Sequence, residues 1–126
     1  MLALETIRGV RIVAEPPAIE GIKVADGEIV LRLAPDDAFV LIDGPLESVD
    51  VDAIIVEEAG FVGCWLTPAE VESRLVPHIE WPLPATRPVL AQGLIAGVPA
   101  KLWLATDRAL LLCAAPYAHD LAERLR

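Results

Sequence analysis

The sequence has few of the residues on which metal binding and nucleophilic catalysis usually depend. Its 126 residues include two cysteines and two histidines. Neither the H-x-x-x-H nor the C-x-x-C spacing of zinc sites occurs. Cys64 and Cys113 each lie within an apolar run, which favours buried, reduced thiols in a cytosolic protein over a disulfide framework. We therefore expect no metal site, no cofactor and no catalytic residue, and a protein that is not an enzyme.

The motifs that bind nucleotide phosphates are also missing. Neither G-x-G-x-x-G nor a P-loop occurs in the sequence. Glu57 and Glu58 are adjacent, so in an extended segment they would face opposite sides, which argues against a catalytic pair. An enzyme that uses scattered carboxylates such as Glu57, Glu80 and Asp107 stays as a third hypothesis, although their spacing does not support it.

Long apolar runs and an excess of positive charge are absent too. No run approaches the ~20 residues of a transmembrane helix. The N-terminal MLALETIRGVR has no basic segment before its apolar residues, so we expect no signal peptide. The net charge is −9, and residues 1–63 hold four Lys and Arg against thirteen Asp and Glu. This acidic first half predicts a protein that binds neither nucleic acid nor membranes. The expected reduced thiols predict that it is cytoplasmic.

Apolar residues, by contrast, are abundant. They make up 55% of the chain, above the usual ~45–50%. A domain of this size hides about two-thirds of its chain surface, so part of this excess is expected outside, where contact with another chain would cover it. The candidate interface residues are three aromatic residues and two leucines of the last helix: Trp81, Trp103, Tyr117, Leu121 and Leu125. We expect a homo-oligomer, most simply a two-fold dimer, or a protein that requires a different protein partner.

The most specific local pattern lies in the middle of the chain. The apolar run Phe61–Leu66 predicts a buried strand, and Gly60 and Gly63 indicate a bend, a bulge or a close approach of two backbones. The sequence Thr-Pro-Ala-Glu at 67–70 then predicts a helix that begins with a capping box and has proline at its first position. Pro77 has no N–H to donate, so the helix is expected to end near Val76.

The remaining patterns predict short strands joined by tight turns. Strands are predicted at residues 10–14, 22–24, 29–33, 38–42, 53–56, 89–95, 98–105 and 108–114, with a hairpin turn at Asp26-Gly27 and an acidic connection at 46–52. Pro116 begins a last helix, on which Tyr117, Leu121 and Leu125 share one face. The predicted fold is α+β, a mostly antiparallel sheet with two helices packed on one face. A single domain over 1–126 is expected, strand-rich at 1–45 and with a strand, a helix, three strands and a helix over 53–126.

Three segments carry a resemblance to known proteins. They are Gly-Cys-Trp-Leu-Thr-Pro at 63–68, Ala-Gly-Val-Pro-Ala-Lys-Leu-Trp-Leu at 96–104, and Pro-Tyr-Ala-His-Asp-Leu-Ala-Glu-Arg-Leu at 116–125. From residue 41 onward, the order of segments resembles the folate-binding domain of aminomethyltransferases and, more closely, the gamma subunit of heterotetrameric sarcosine oxidase. The resemblance implies an α+β fold and a non-catalytic, subunit-like role.

The chain also departs from these families. None of the aminomethyltransferase folate or catalytic residues can be placed on it, and the K-G-C-x-x-G-Q motif of related iron–sulfur repair proteins is absent. The leading hypothesis is therefore a non-catalytic accessory or interaction protein, as a subunit of a larger oxidoreductase-like complex or as an oligomer of its own. The alternative is a module that binds a small, folate-like molecule.

Overall fold

The computed structural model describes residues 2–23, 27–42 and 52–126. Contacts between residues divide the chain into two compact units, a larger one of Met1–Ile7 with Gly60–Arg126 and a smaller one of Arg8–Ala59. Each contains one antiparallel sheet. The predicted α+β class is thus confirmed, with its strands divided between two sheets. The single domain expected over 1–126 stays a prediction.

Within the described residues, the elements are strands with three short α-helices between or after them, and a 3-10 turn, Ala115–Tyr117, leads into the last one. In chain order they are β1 (Glu5–Thr6), β2 (Gly9–Val13), α1 (Pro16–Glu20), β3 (Ile29–Ala34), β4 (Asp37–Leu41), β5 (Ile54–Glu58), β6 (Phe61–Leu66), α2 (Pro68–Glu70), β7 (Val89–Ile95), β8 (Val98–Leu104), β9 (Ala109–Ala114) and α3 (Ala118–Arg124). The strand expected at 22–24, the turn at Asp26-Gly27 and the connection at 46–52 lie wholly or partly outside the described residues.

The larger unit is a five-stranded sheet with the order β1-β6-β9-β8-β7. Side chains alternate along each strand, and one side of the sheet carries a continuous apolar set that includes Leu66, Leu102, Leu104, Leu111 and Cys113. Four residues from the helical segments pack into the same core: Val71, Leu75, Leu121 and Leu125. Both helical segments of this unit therefore pack on one side of the sheet, as the sequence predicted.

The helical segment after β6 begins as predicted and ends in a different way. The Thr67 hydroxyl accepts a hydrogen bond from the Glu70 N–H at 3.1 Å, and the Glu70 carboxylate accepts from the Thr67 N–H at 3.1 Å. The segment continues beyond α2 as a π-helical turn, Val71–Leu75, and a 3-10 turn, Val76–His78. Pro77 cannot donate to an α-helical ladder, so the chain leaves the helix through this tighter last turn, two residues later than expected.

Gly63 allows β6 and β9 to lie close together. A Cβ atom at this position would lie 2.1 Å from the Leu111 carbonyl oxygen. No side chain fits in that distance, so the backbones meet here only because residue 63 is glycine. Of the alternatives that the sequence left open at Gly63, a bend, a bulge or a close approach of two backbones, the structure shows the close approach.

The smaller unit is a four-stranded sheet with the order β3-β4-β2-β5. Its core contains Ile12, Ala38 and Val40 from the strands and Ile19 from α1. β3 and β4 form a hairpin around Pro35 and Asp36, residue types that are common in turns. Within the described residues, β5 is an edge strand of this sheet and pairs with β2 along its whole length.

A partly buried ion group connects three strands of the smaller unit. Arg11 on β2 donates to both carboxylate oxygens of Asp37 on β4 at 2.6 Å, and to Glu58 on β5 at 2.9 Å. The hydrogen bond to Asp37 is the main cause that raises the pKa of Arg11 above its usual value. The two-pronged geometry holds Asp37 in a defined orientation, and the contact with Glu58 anchors one end of β5 to the sheet.

Candidate interaction surface

The second side of the five-stranded sheet carries large side chains in facing positions. Trp65, Leu110, Trp103 and Leu90 lie opposite one another on β6, β9, β8 and β7. Alternation places them on the side opposite the helices. We call this side the aromatic face and define it by Phe61, Trp65, Leu90, Trp103, Leu110 and Leu112. Leu110 and Leu112 are fully buried, whereas Trp65 is 41% exposed.

Two tryptophans and an arginine form a cluster on the aromatic face. The ring centroids of Trp65 and Trp103 are 6.0 Å apart, and the rings meet edge to face at 89°. The Arg108 guanidinium lies 4.3 Å from the Trp65 ring centroid and 5.8 Å from that of Trp103. Edge-to-face packing and the cation–π contact hold the rings in place. The cluster is a pre-ordered aromatic surface that remains partly open.

A shallow groove lies at the other end of the same sheet. Its volume is about 360 Å³ and its lining includes Phe61, Leu94, Pro99, Lys101 and Tyr117. Leu94 and Tyr117 are 55% and 42% exposed, and the Lys101 ammonium lies 5.8 Å from the Phe61 ring centroid. The groove is thus mainly apolar with one cation beside it.

The structure separates the five candidate interface residues into two groups. Trp103 belongs to the aromatic face, and Tyr117 lines the groove next to it. Leu121 and Leu125 are only 0% and 3% exposed, because they pack in the core of the larger unit. Trp81 packs against the same core, so its apolar contacts also lie within the chain.

Trp81 is held in place by its indole nitrogen and by a neighbouring glycine. Its indole N–H donates to the Leu94 carbonyl at 2.9 Å. A Cβ atom at Gly93 would lie 2.7 Å from that indole nitrogen. The indole therefore occupies the space that a side chain at residue 93 would fill, and Trp81 serves as a packing residue in this unit.

Sequence reasoning did not place Trp65 and Leu94 among the candidate interface residues. Both are among the most exposed large apolar side chains of the larger unit. Strand alternation contained the information for Trp65, because its neighbours Cys64 and Leu66 face the helix-covered core. Leu94 lies near the end of β7, opposite Pro99 on β8 and two residues before the turn residue Ala96.

The chemically reactive side chains do not form a catalytic arrangement within the described residues. Cys113 is buried, and Cys64 is half-buried. Burial raises the pKa of both thiols above the usual value, which lowers the thiolate fraction that a nucleophile requires. No group of three or more His, Cys, Asp and Glu residues that could hold a metal ion occurs in the described ranges.

The scattered carboxylates lie in separate shallow cavities. Glu57 and Glu58 line one of about 530 Å³ in the smaller unit, together with Arg8. Glu80 lines another of about 440 Å³ in the larger unit, together with His78 and Trp81. Glu57 and Glu80, two of the three carboxylates named from the sequence, thus lie in different cavities.

Within residues 2–23, 27–42 and 52–126, none of the helices has the length and apolar character needed to cross a bilayer.

The fold matches that of a solved enzyme complex. No protein-family model matches the chain, and no curated protein matches its sequence. Among solved structures, a chain of heterotetrameric sarcosine oxidase from Corynebacterium sp. U-96, in complex with pyrrole 2-carboxylate, aligns with a TM-score of 0.69 over 97% of this chain and 79% of that chain. The sequences are 11% identical. At this identity the likeness shows a shared fold, and the distant resemblance to sarcosine oxidase predicted from the sequence is supported at that level.

Proposed function

We propose that this protein is a non-catalytic accessory subunit of a larger, oxidoreductase-like complex and that it contacts its partner through the aromatic face and the adjoining groove. The observation that carries the proposal is the pre-ordered Trp65–Trp103–Arg108 cluster, since tryptophan, tyrosine and arginine are the residues that dominate binding energy in protein interfaces. The sarcosine oxidase chain of the same fold is part of a heterotetramer, which supports a subunit role.

The groove adds apolar contact area beside this cluster. Leu94 and Tyr117 offer exposed apolar surface, and Lys101 lines the same groove. A stable interface covers roughly 800 Å² on each partner and has an aromatic, weakly charged centre. Phe61, Leu110 and Leu112 of the aromatic face are already buried within the chain, so the partner would contact its exposed residue, Trp65, and the groove on the same sheet.

The test compares two variants of matched exposure in tagged protein purified from its native host. Tyr117 is 42% exposed on the groove, and Val13 is 39% exposed in the smaller unit. Tyr117→Asp is expected to abolish a stoichiometric, mass-resolved complex that Val13→Asp keeps, with circular dichroism showing that both variants fold. Recovery of the wild type only as a 13.5 kDa monomer would contradict the subunit role.

The same surface also suits the two-fold dimer expected from the sequence. Closed dimers are the commonest homo-oligomers, and the acidic residues outside the aromatic face would keep such a dimer soluble. Light scattering of the purified protein at about 10 µM measures this directly. A mass twice that of the chain, lost in Tyr117→Asp, would assign the aromatic face to a second copy.

A folate-like small molecule is the second candidate, and the groove is the feature that favours it. Its volume of about 360 Å³, two aromatic rings and one lysine suit a planar anion. We nevertheless expect no tight binding of tetrahydrofolate, because no residue of the known folate-binding set can be placed on the chain. A calorimetric dissociation constant in the micromolar range or below would favour this candidate over the subunit role.

A further inference from the structure

The edge strand of the smaller unit has three exposed apolar residues in a row, and its two charged residues, Glu57 and Glu58, lie at one end. Ile54, Ile55 and Val56 of β5 are 63%, 46% and 52% exposed. Within the described residues, β5 ends the sheet, with β2 on its other side. Natural edge strands are normally shielded by charge, proline or a bulge. Three consecutive β-branched residues at an edge instead form a template to which another strand can add.

Charge restricts which strand can add there. The smaller unit spans residues 8–59, which hold four Lys and Arg against twelve Asp and Glu, a formal charge of −8. Asp52 precedes the exposed apolar residues, and Glu57 follows them. A second copy of the chain would bring the same negative charge to the same edge, and like charges across an interface are unfavourable.

We infer that β5 is a docking edge for a strand of a different protein, one in which lysine or arginine alternates with β-branched residues. The added strand would extend the four-stranded sheet through backbone hydrogen bonds. Side chains alternate along both strands, so its apolar side chains would all lie on one side of the sheet, over Ile54 and Val56. Its basic side chains would lie on the other side, which Ile55 and Glu57 share.

This docking edge is distinct from the aromatic face. It belongs to the smaller unit, whereas the aromatic face belongs to the larger one, so the two proposals can fail separately. A complex that depends on Tyr117 but not on Ile54 would leave the subunit role standing and remove the docking edge.

The direct test uses the purified full chain and a synthetic peptide in which lysine alternates with valine and isoleucine. We expect saturable binding by fluorescence anisotropy that weakens as salt rises, with amide chemical shifts changing at Ile54, Ile55 and Val56. The same peptide with glutamate in place of lysine should not bind. A peptide methylated on alternate backbone nitrogens should bind at least tenfold more weakly, because it cannot complete the ladder.

Two protein variants locate the site. Ile54→Lys places a positive charge on the edge and is expected to weaken binding of the lysine peptide at least tenfold. Ala85→Lys adds the same charge at an exposed position of the larger unit outside the aromatic face and the groove, and it should leave the affinity for the lysine peptide unchanged. Circular dichroism checks that each variant folds.

Three results would overturn the inference. Equal binding of the methylated peptide would show charge attraction without strand addition. Absence of saturable binding of the lysine peptide would remove the docking edge. A concentration-dependent dimer of the protein alone, lost in Ile54→Lys, would assign the edge to a second copy.

Discussion

Removing the side-chain oxygen of Thr67 is expected to weaken the start of the helical segment after β6. In the wild type, the hydroxyl accepts from the Glu70 N–H and the Glu70 carboxylate accepts from the Thr67 N–H, both at 3.1 Å. These N–H groups have no partner inside a helix, because the first turn has no preceding carbonyl. Thr67→Ala removes one bond and frees the other residue to move.

The magnitude follows from the loss of one cap. Replacing an N-cap threonine with alanine costs about 1 kcal/mol. For a chain of 126 residues, the average unfolding entropy per residue converts this into a fall of about 4 °C in Tm. The helical segment contributes Val71 and Leu75 to the core, so its fraying weakens the packing that holds it and the loss should appear in the global transition.

Urea unfolding of three variants tests the argument. Thr67→Ser keeps the oxygen and should retain most of the stability, whereas Thr67→Ala and Glu70→Ala should each lose some. Because the two hydrogen bonds are reciprocal, the double variant should lose less than the sum of the single ones. An unchanged midpoint in Thr67→Ala, or an equal loss in Thr67→Ser, would refute the role of the cap.

Three further predictions concern the larger unit. Gly93→Ala should lower the free energy of unfolding by about 1–3 kcal/mol in urea melts, because the new Cβ would lie 2.7 Å from the Trp81 indole nitrogen. The double variant Gly93→Ala, Trp81→Leu should recover part of that lost stability. Leu121→Ala should cost about 2–5 kcal/mol as a fully buried core residue, and a loss near zero would remove it from the core. Burial raises the pKa values of Cys64 and Cys113, so both thiols should react with a thiol reagent only after denaturant is added; fast labelling of the folded protein would contradict this. The free energy of unfolding should also fall as pH rises above the ordinary thiol pKa of about 8.5, because the thiols ionise first in the unfolded chain.

Local patterns predicted the features that depend on neighbouring residues. The capping box at Thr67 lies within four residues, so its hydrogen bonds follow from the sequence alone. The strands at Val89–Ile95 and Val98–Leu104 are equally local, because a two-residue turn joins them. A close approach at Gly63 was among the alternatives that the sequence left open, because glycine inside a strand often marks a bend, a bulge or a close approach of two backbones.

The division into two sheets depends on contacts between distant residues. Gly9 pairs with Glu58 and Glu5 pairs with Gly63, and no local pattern contains such pairings. For the same reason, the sequence predicted a strand near Ile54–Glu58 but did not show that this strand lies at the edge of a sheet with its apolar residues exposed.

The candidate interface shows a second limit of sequence patterns. Leu121 and Leu125 form an apolar stripe on α3, and a stripe of this kind looks the same whether it faces the chain's own core or a partner. The structure places both in the core. Tyr117 begins the same stripe but lies one turn earlier, where the groove leaves it 42% exposed.

The chain passes between the two units twice, after Ile7 and after Ala59, and the strand pairing at these two points suggests that the smaller unit could be deleted without breaking the larger sheet. Its first and last strands are neighbours, since Gly9 faces Glu58, and the strands that flank it are neighbours too, since Thr6 faces Val62. The chain therefore leaves and re-enters the larger unit at adjoining points, and a short turn linking β1 to β6 could replace residues 8–59. During synthesis the smaller unit, residues 8–59, is complete before β7, β8 and β9 have been made. β1 can pair with β6 only after the whole of the smaller unit has been synthesised.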